Sequence, residues 1–124
     1  MKSARFRPHE RINDPSAFKR AFERKKSVSD PRIIVYGVEN GLDYPRLGIS
    51  ASKRKIRKAC DRNRVKRVLR EAFRLSKADL PPGLDLIIVP RGPGLTFQEA
   101  FEALPTLARS AARRLGLQVV KASP

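Results

Sequence analysis

Apolar and polar positions along the chain change period several times, and each change marks an element. After an aperiodic basic stretch over residues 1–13, Asp14-Pro15 supplies an N-cap followed by proline at the first helical position. Ala17, Phe18, Ala21 and Phe22 then fall at i, i+1, i+4 and i+5. This spacing predicts a short helix to about Lys25 with both phenylalanines on one stripe and Lys19, Arg20, Arg24 and Lys26 around it. Arg32 to Val38 is a β-branched run that includes Tyr36 and reads as a strand, and Ser27-Val28 adds a short edge strand. Glu39-Asn40-Gly41 marks a turn. Arg46 to Ser52 reads as the next strand, antiparallel to the first through that connection.

The period then changes to helical. Val65, Val68, Leu69, Ala72 and Phe73 recur at three- and four-residue spacing and form a core face. Pro81-Pro82-Gly83 ends that element. Leu84 to Val89 is nearly all apolar, which predicts a central strand. Beyond the loop Arg91-Gly92-Pro93-Gly94, Thr96 and Glu99 have capping-box spacing at the start of a last helix. Pro105 is expected to kink that helix and Gly116 to end it. The order α-β-β-β-α-β-α predicts an α+β fold, a two-layer α/β sandwich with helices packed on a sheet. Residues 14–118 are expected to form one domain, with mobile tails over 1–13 and 119–124.

Charge narrows the choice of partner. In 124 residues there are 28 Lys and Arg against 12 Asp and Glu, a formal charge of +16. Such an excess disfavours the compact state by self-repulsion. A nucleic-acid backbone offsets it, because bound Lys and Arg release condensed counterions. No apolar run is long enough to span a bilayer, no secretory signal stands at the N-terminus, and a membrane is not an expected partner. Cys60 is the only cysteine, so no intrachain disulfide forms and a reducing, cytoplasmic location is expected. Cys60 itself is expected to be a small buried residue at a helix start.

The third segment carries the binding chemistry. Projected at about 100° per residue from Val65, Asn63, Lys66, Arg67, Arg70, Arg74 and Lys77 fall roughly opposite the core stripe. Arg62 lies at one edge of that stripe, and Arg64 lies with Glu71 at the other. A merely solvated helix face mixes signs, whereas no acid lies within this one, so RNA or DNA binding is the better reading. Arg pairs bidentately with phosphate and stacks on bases, and Asn63 offers a donor and an acceptor for a base edge or a sugar hydroxyl. Phe18, Phe22 and Tyr36 are candidate stacking rings for single-stranded RNA. Core packing is the alternative for all three, the leaning for Phe22, and an even choice for Phe18 and Tyr36. A catalytic set is missing. His9 is the only histidine and the acids form no local cluster, so no catalytic residue, metal site or small-molecule substrate is assigned to this chain.

The run Arg62-Asn63-Arg64-Val65-Lys66-Arg67-Val68-Leu69-Arg70-Glu71-Ala72-Phe73-Arg74 resembles the signature of the bacterial ribonuclease P protein family, which reads R-N-R-x-K-R-x-x-R-E-x-F-R. Ile33 to Tyr36, Arg46 to Ser50, Asp85 to Ile88 and Leu95-Thr96-Phe97 extend the likeness over most of the chain. The family usually has glycine shortly before the signature helix, where Ile56-Arg57 stands, and after the first helix, where Lys25 stands. The resemblance implies a protein that assists a catalytic, Mg2+-requiring RNA in removing the 5′ leader of precursor tRNA. It implies ribonuclease P RNA and precursor tRNA as partners, with hydrolysis on the RNA and no cofactor on the protein. It also implies a left-handed β-α-β crossover. Phe18, Phe22 and Tyr36 match the family's leader cleft, and Arg62, Asn63, Lys66, Arg67 and Arg70 its basic helix, to which the helical projection adds Arg74. Composition alone also allows a ribosomal or other structural RNA-binding protein or, less readily, a DNA-binding regulator.

Overall fold

The computed structural model describes residues 6–116. These form α1 (Pro15–Arg24), β1 (Ser27–Ser29), β2 (Ile33–Glu39), β3 (Arg46–Ile49), α2 (Ala59–Ser76), β4 (Leu84–Pro90) and α3 (Phe97–Arg114), with 3-10 turns at Pro8–Glu10 and Lys77–Asp79. The element order is the expected one. Asp14 caps α1 by accepting from the Ser16 amide at 3.0 Å. Thr96 and Glu99 cap α3 reciprocally at 3.2 and 3.0 Å. α1 stops on Lys25, whose φ of 57° is left-handed. Glycine holds such a position without strain, which gives a physical reason for the residue usual there in the resembling family. α3 runs unbroken through Pro105. The bond that proline cannot make is to the residue four earlier, Phe101, on the exposed side of the helix.

Strand pairing corrects one expectation. The sheet order is β1-β2-β4-β3, so β2 and β3 are not hairpin partners. β4 lies between them, antiparallel to β2 from Ile33↔Pro90 to Glu39↔Leu84 and parallel to β3 from Arg46↔Asp85 to Ile49↔Ile88. The physical reason is burial on both faces. Leu84, Leu86, Ile87 and Ile88 are each 1% exposed or less, and a β2–β3 hairpin would leave that run on an edge. The Asn40-Gly41 turn exists, with Gly41 at φ 69°, but it opens a loop rather than a hairpin. Asn40 holds the loop by donating to Tyr44 O and to Asp85 Oδ1, at 3.3 and 2.9 Å.

The two faces of the sheet are covered unequally. Ile33, Val35, Leu47, Leu84, Leu86 and Ile88 pack with α2 and α3, around Val65, Leu69, Phe73, Leu104 and Ala108. Val38 and Ile87 on the other face cluster with Ile12 and the α1 residues Ala17 and Ala21, with Phe18, Phe22 and Tyr36 half-buried at the margin. Near one end of this thinner layer Asp85, 4% exposed, accepts from Arg46 Nε and Nη2 at 2.7 and 2.6 Å.

Two further expectations give way. The segment from Phe6 to Asn13 is packed rather than a free tail. Phe6 meets Phe73 edge-on at 5.3 Å, Glu10 is 4% exposed and 2.9 Å from Lys77 Nζ, and the Ile12 amide donates to Leu47 O at 2.9 Å. Arg11 bridges Leu47 in parallel, so the segment protects the open edge of β3. Residues 1–5 and 117–124, and with them the expected tail over 119–124, lie outside the described residues. Cys60 is exposed, because α2 starts at Ala59 and the apolar anchor at this end is Ile56, 1% exposed.

Removing Asp85 leaves Arg46 and Asn40 without their shared acceptor. Breaking a buried pair costs about 3–5 kcal/mol; with Arg46 still partly in water, Asp85→Ala is expected to cost about 2–3 kcal/mol. Urea denaturation checks this, and an unchanged midpoint would refute it.

Candidate RNA interface

The thin second layer leaves an opening beside α1. Phe18 lies over Gly48 of β3 so closely that a Cβ at Gly48 would meet the Phe18 ring at 2.8 Å and Ile87 at 2.9 Å. Glycine in a strand is here a condition for the ring's position. Beside Phe18 opens a cleft of about 250 Å³ lined by Phe6, Arg11, Ile12, Asn13, Phe18, Leu47, Gly48, Ile49, Lys66 and Arg70. The N-terminal segment forms one wall, β3 the floor, and α2 contributes Lys66 and Arg70. No acidic residue lines it.

The electrostatics of the cleft favour an anion. Lys66, Arg67 and Arg70 make no hydrogen bond or ion pair among the described residues. Burial, and then the nearby charge of Arg11, lower the pKa of the Arg70 guanidinium from its ordinary value. It stays protonated, yet its charge is less well solvated than that of a free arginine. Arg11 itself sits 5.0 Å above the Phe6 ring. A phosphate oxygen entering here would meet donors that no group among the described residues already occupies.

The predicted site residues separate into groups. Phe18, Lys66 and Arg70 come together in the cleft. Phe22 and Tyr36 stack edge to face at 4.9 Å on the adjoining sheet surface; both are half-buried, outside the cleft lining. Asn63 and Arg67 are exposed on α2. Arg62 turns inward and donates from Nη1 to Ile56 O and Arg57 O at 2.9 and 3.0 Å. Arg74 pairs with Glu71, so the basic face does carry one acid, and Glu71 is not at hand to neutralise Arg64. Arg64 instead donates to Pro93 O and, at 3.0 Å, to Leu95 O.

Sequence reasoning missed Phe6, Arg11, Asn13 and Gly48. Gly48 had a signal, since an isolated glycine in a strand marks close approach. Ile12, 5% exposed, was the signal for the N-terminal wall: one apolar residue amid polar ones fixes where that segment docks. Among the described residues no group of three or more His, Cys, Asp or Glu side chains is placed to hold a metal ion. No helix there is long and apolar enough to cross a membrane.

Comparison with known proteins identifies the family and the fold. The Ribonuclease P family matches residues 6–121. The ribonuclease P protein component of Histophilus somni strain 2336 is 40% identical over 98 residues, covering 78% of this chain and 82% of that protein. That of Cronobacter sakazakii is 36% identical over 100 residues, covering 80% and 84%. Among solved structures, the RNase P protein of Thermotoga maritima is similar at TM-score 0.72 and 32% identity, covering 82% of this chain and 96% of that one. The Staphylococcus aureus protein is similar at TM-score 0.70 and 30% identity, covering 82% and 94%. The chain belongs to the ribonuclease P protein family.

Proposed function

We propose that this protein subunit, whose family makes ribonuclease P RNA its partner, captures the single-stranded 5′ leader of precursor tRNA in the cleft beside Phe18. The carrying observation is that a half-buried ring stands beside Lys66 and Arg70, both without hydrogen-bond or ion-pair partners among the described residues, in a cleft that none of the described acids lines. A single strand needs this combination of a cationic groove and a ring on which a base stacks. Asn63 and Arg67, exposed on the same helix, extend the surface toward the RNA subunit and the tRNA body.

Hydrolysis is assigned to the RNA. A cationic cleft stabilises phosphate but repels the divalent ion that such hydrolysis uses, and the residues present do not fit Mg2+ there. Mg2+ therefore belongs to the RNA subunit. The protein's part is to neutralise converging backbones and so reduce the Mg2+ that the assembly requires. Reconstitution tests the reading. Adding the protein to the catalytic RNA at low Mg2+ should restore 5′ leader removal, and the protein alone should cleave nothing. Leader cleavage by protein free of RNA would overturn the assignment.

Variants of the cleft sharpen the test. Lys66→Ala and Arg70→Ala should each weaken precursor binding more than mature tRNA binding and reduce the slope of log affinity against log salt by about 0.7. Equal loss for both RNAs would count against leader recognition. Phe18→Ala should cost about 1–3 kcal/mol in precursor affinity. Gly48→Ala should displace the Phe18 ring and produce a loss of the same sign without removing any charge, so its salt slope should stay that of the unaltered protein.

A further inference from the structure

We propose that Arg62 and Arg64 are positioning residues rather than RNA contacts: each clasps one of the two loops flanking the start of α2, and Asn63, exposed between them, is the member of that tripeptide that faces RNA. The inference rests on the RNA-capture reading above and assigns roles within it. Successive helical residues turn by about 100°. Arg62 and Arg64 therefore leave α2 on opposite sides of its core stripe, while Asn63 points almost directly away from Val65.

On one side lies the loop from Lys53 to Lys58. It exposes Lys53, Arg54, Lys55, Arg57 and Lys58 and contains no acid. Like charges at that density drive a loop apart. Ile56 anchors it at 1% exposure, and the Ile56 and Lys55 amides donate to Ser52 O and Oγ at 3.0 and 3.2 Å. Besides the Arg62 amide, which donates to Lys58 O at 3.1 Å, a side-chain hold comes from Arg62 Nη1, which donates to the carbonyls of both Ile56 and Arg57. On the other side, Arg64 Nη2 donates to the Pro93 and Leu95 carbonyls, fixing the turn that leads from β4 into α3 and carries the exposed Arg91. Hydrogen bonds from a charged donor are stronger than neutral ones. Both side chains are half-buried, and those donors are already engaged before any RNA arrives. Lys66, Arg67 and Arg70 differ in having no such partner among the described residues.

A double-mutant cycle on RNA affinity tests the clasp. Arg62→Met and a loop variant with Lys53→Ala, Arg54→Ala and Lys55→Ala are made singly and together in the full chain, and Kd for ribonuclease P RNA is measured at fixed salt. Acting through the loop, Arg62→Met should weaken binding several-fold alone but less than about twofold in the loop-neutralised background. The same loss in both backgrounds would show a direct contact and overturn the proposal. Should Arg62→Met not fold, guanidinium NMR of the unaltered protein decides. The Nη signals of Arg62 and Arg64 should be restricted in the free protein and unmoved by RNA, whereas those of Arg67 and Arg70 should shift. Free rotation of Arg62 and Arg64 that stops only on RNA binding would sink the idea. If the unaltered protein failed to bind precursor tRNA in preference to mature tRNA, the capture reading would fall, and the free-protein spectra would still decide the clasp.

Discussion

Leu84, Leu86 and Ile88 face one side of the sheet and Ile87 the other, and none of them meets water. A strand with this pattern must have a neighbour on each edge and a layer on each face. At roughly 1.5–3 kcal/mol per buried side chain, losing that position would cost a large part of the stability of a small domain. The consequence is topological. β4 separates β2 from β3, so the chain reaches β4 from β3 by a parallel connection, which requires a crossover. α2 is that crossover. Its core face packs on the thicker layer, and its middle turns run beside β3, where Lys66 and Arg70 enter the cleft. The basic helix is therefore beside Phe18 because a nearly all-apolar strand had to be central.

The charge on α2 is then sorted by position rather than spread evenly. Arg62 and Arg64 flank the core stripe and satisfy backbone carbonyls. Arg74 is paired with Glu71, and Lys77 with the buried Glu10 of the N-terminal segment. Between these tethered ends, Lys66, Arg67 and Arg70 carry charge that nothing in the described protein uses. Self-repulsion in a chain of +16 is thus relieved where the fold needs order and retained where a polyanion approaches.

Much of this was legible in the sequence because the informative signals are local. The Asp14 cap, the Thr96–Glu99 box, the helical period from Val65 to Phe73 and the central place of Leu84 to Val89 each depend on a few neighbouring residues. What was not legible depends on distant pairs. The Asn40-Gly41 turn looks the same whether its flanking strands pair with each other or admit a third between them. Arg11 was hidden for a similar reason, since its place depends on a parallel bridge to Leu47 and an ion pair from Glu10 to Lys77. Periodicity placed Arg62 and Arg64 at the edges of the core stripe but could not say what lay there. A residue at such an edge faces solvent or a loop according to the tertiary fold. The sequence reading therefore reached the helix face on which each side chain stands, but not what each side chain touches.

The unequal layers explain why the cleft opens on the α1 side. α2 and α3 together cover one face with a closed core, in which Gly37 of β2 admits Ala111 to within 3.1 Å of where a Cβ would stand. α1 is a helix of ten residues and buries only Ala17 and Ala21, so it cannot span the second face. Its phenylalanines are left half in and half out, which is unfavourable for a ring with no other duty but suitable for one that stacks on a base. Lys25 ends the helix in a left-handed turn, despite lacking the freedom of glycine. Backbone strain at one residue thus accompanies the opening into which Phe18 and Arg70 face.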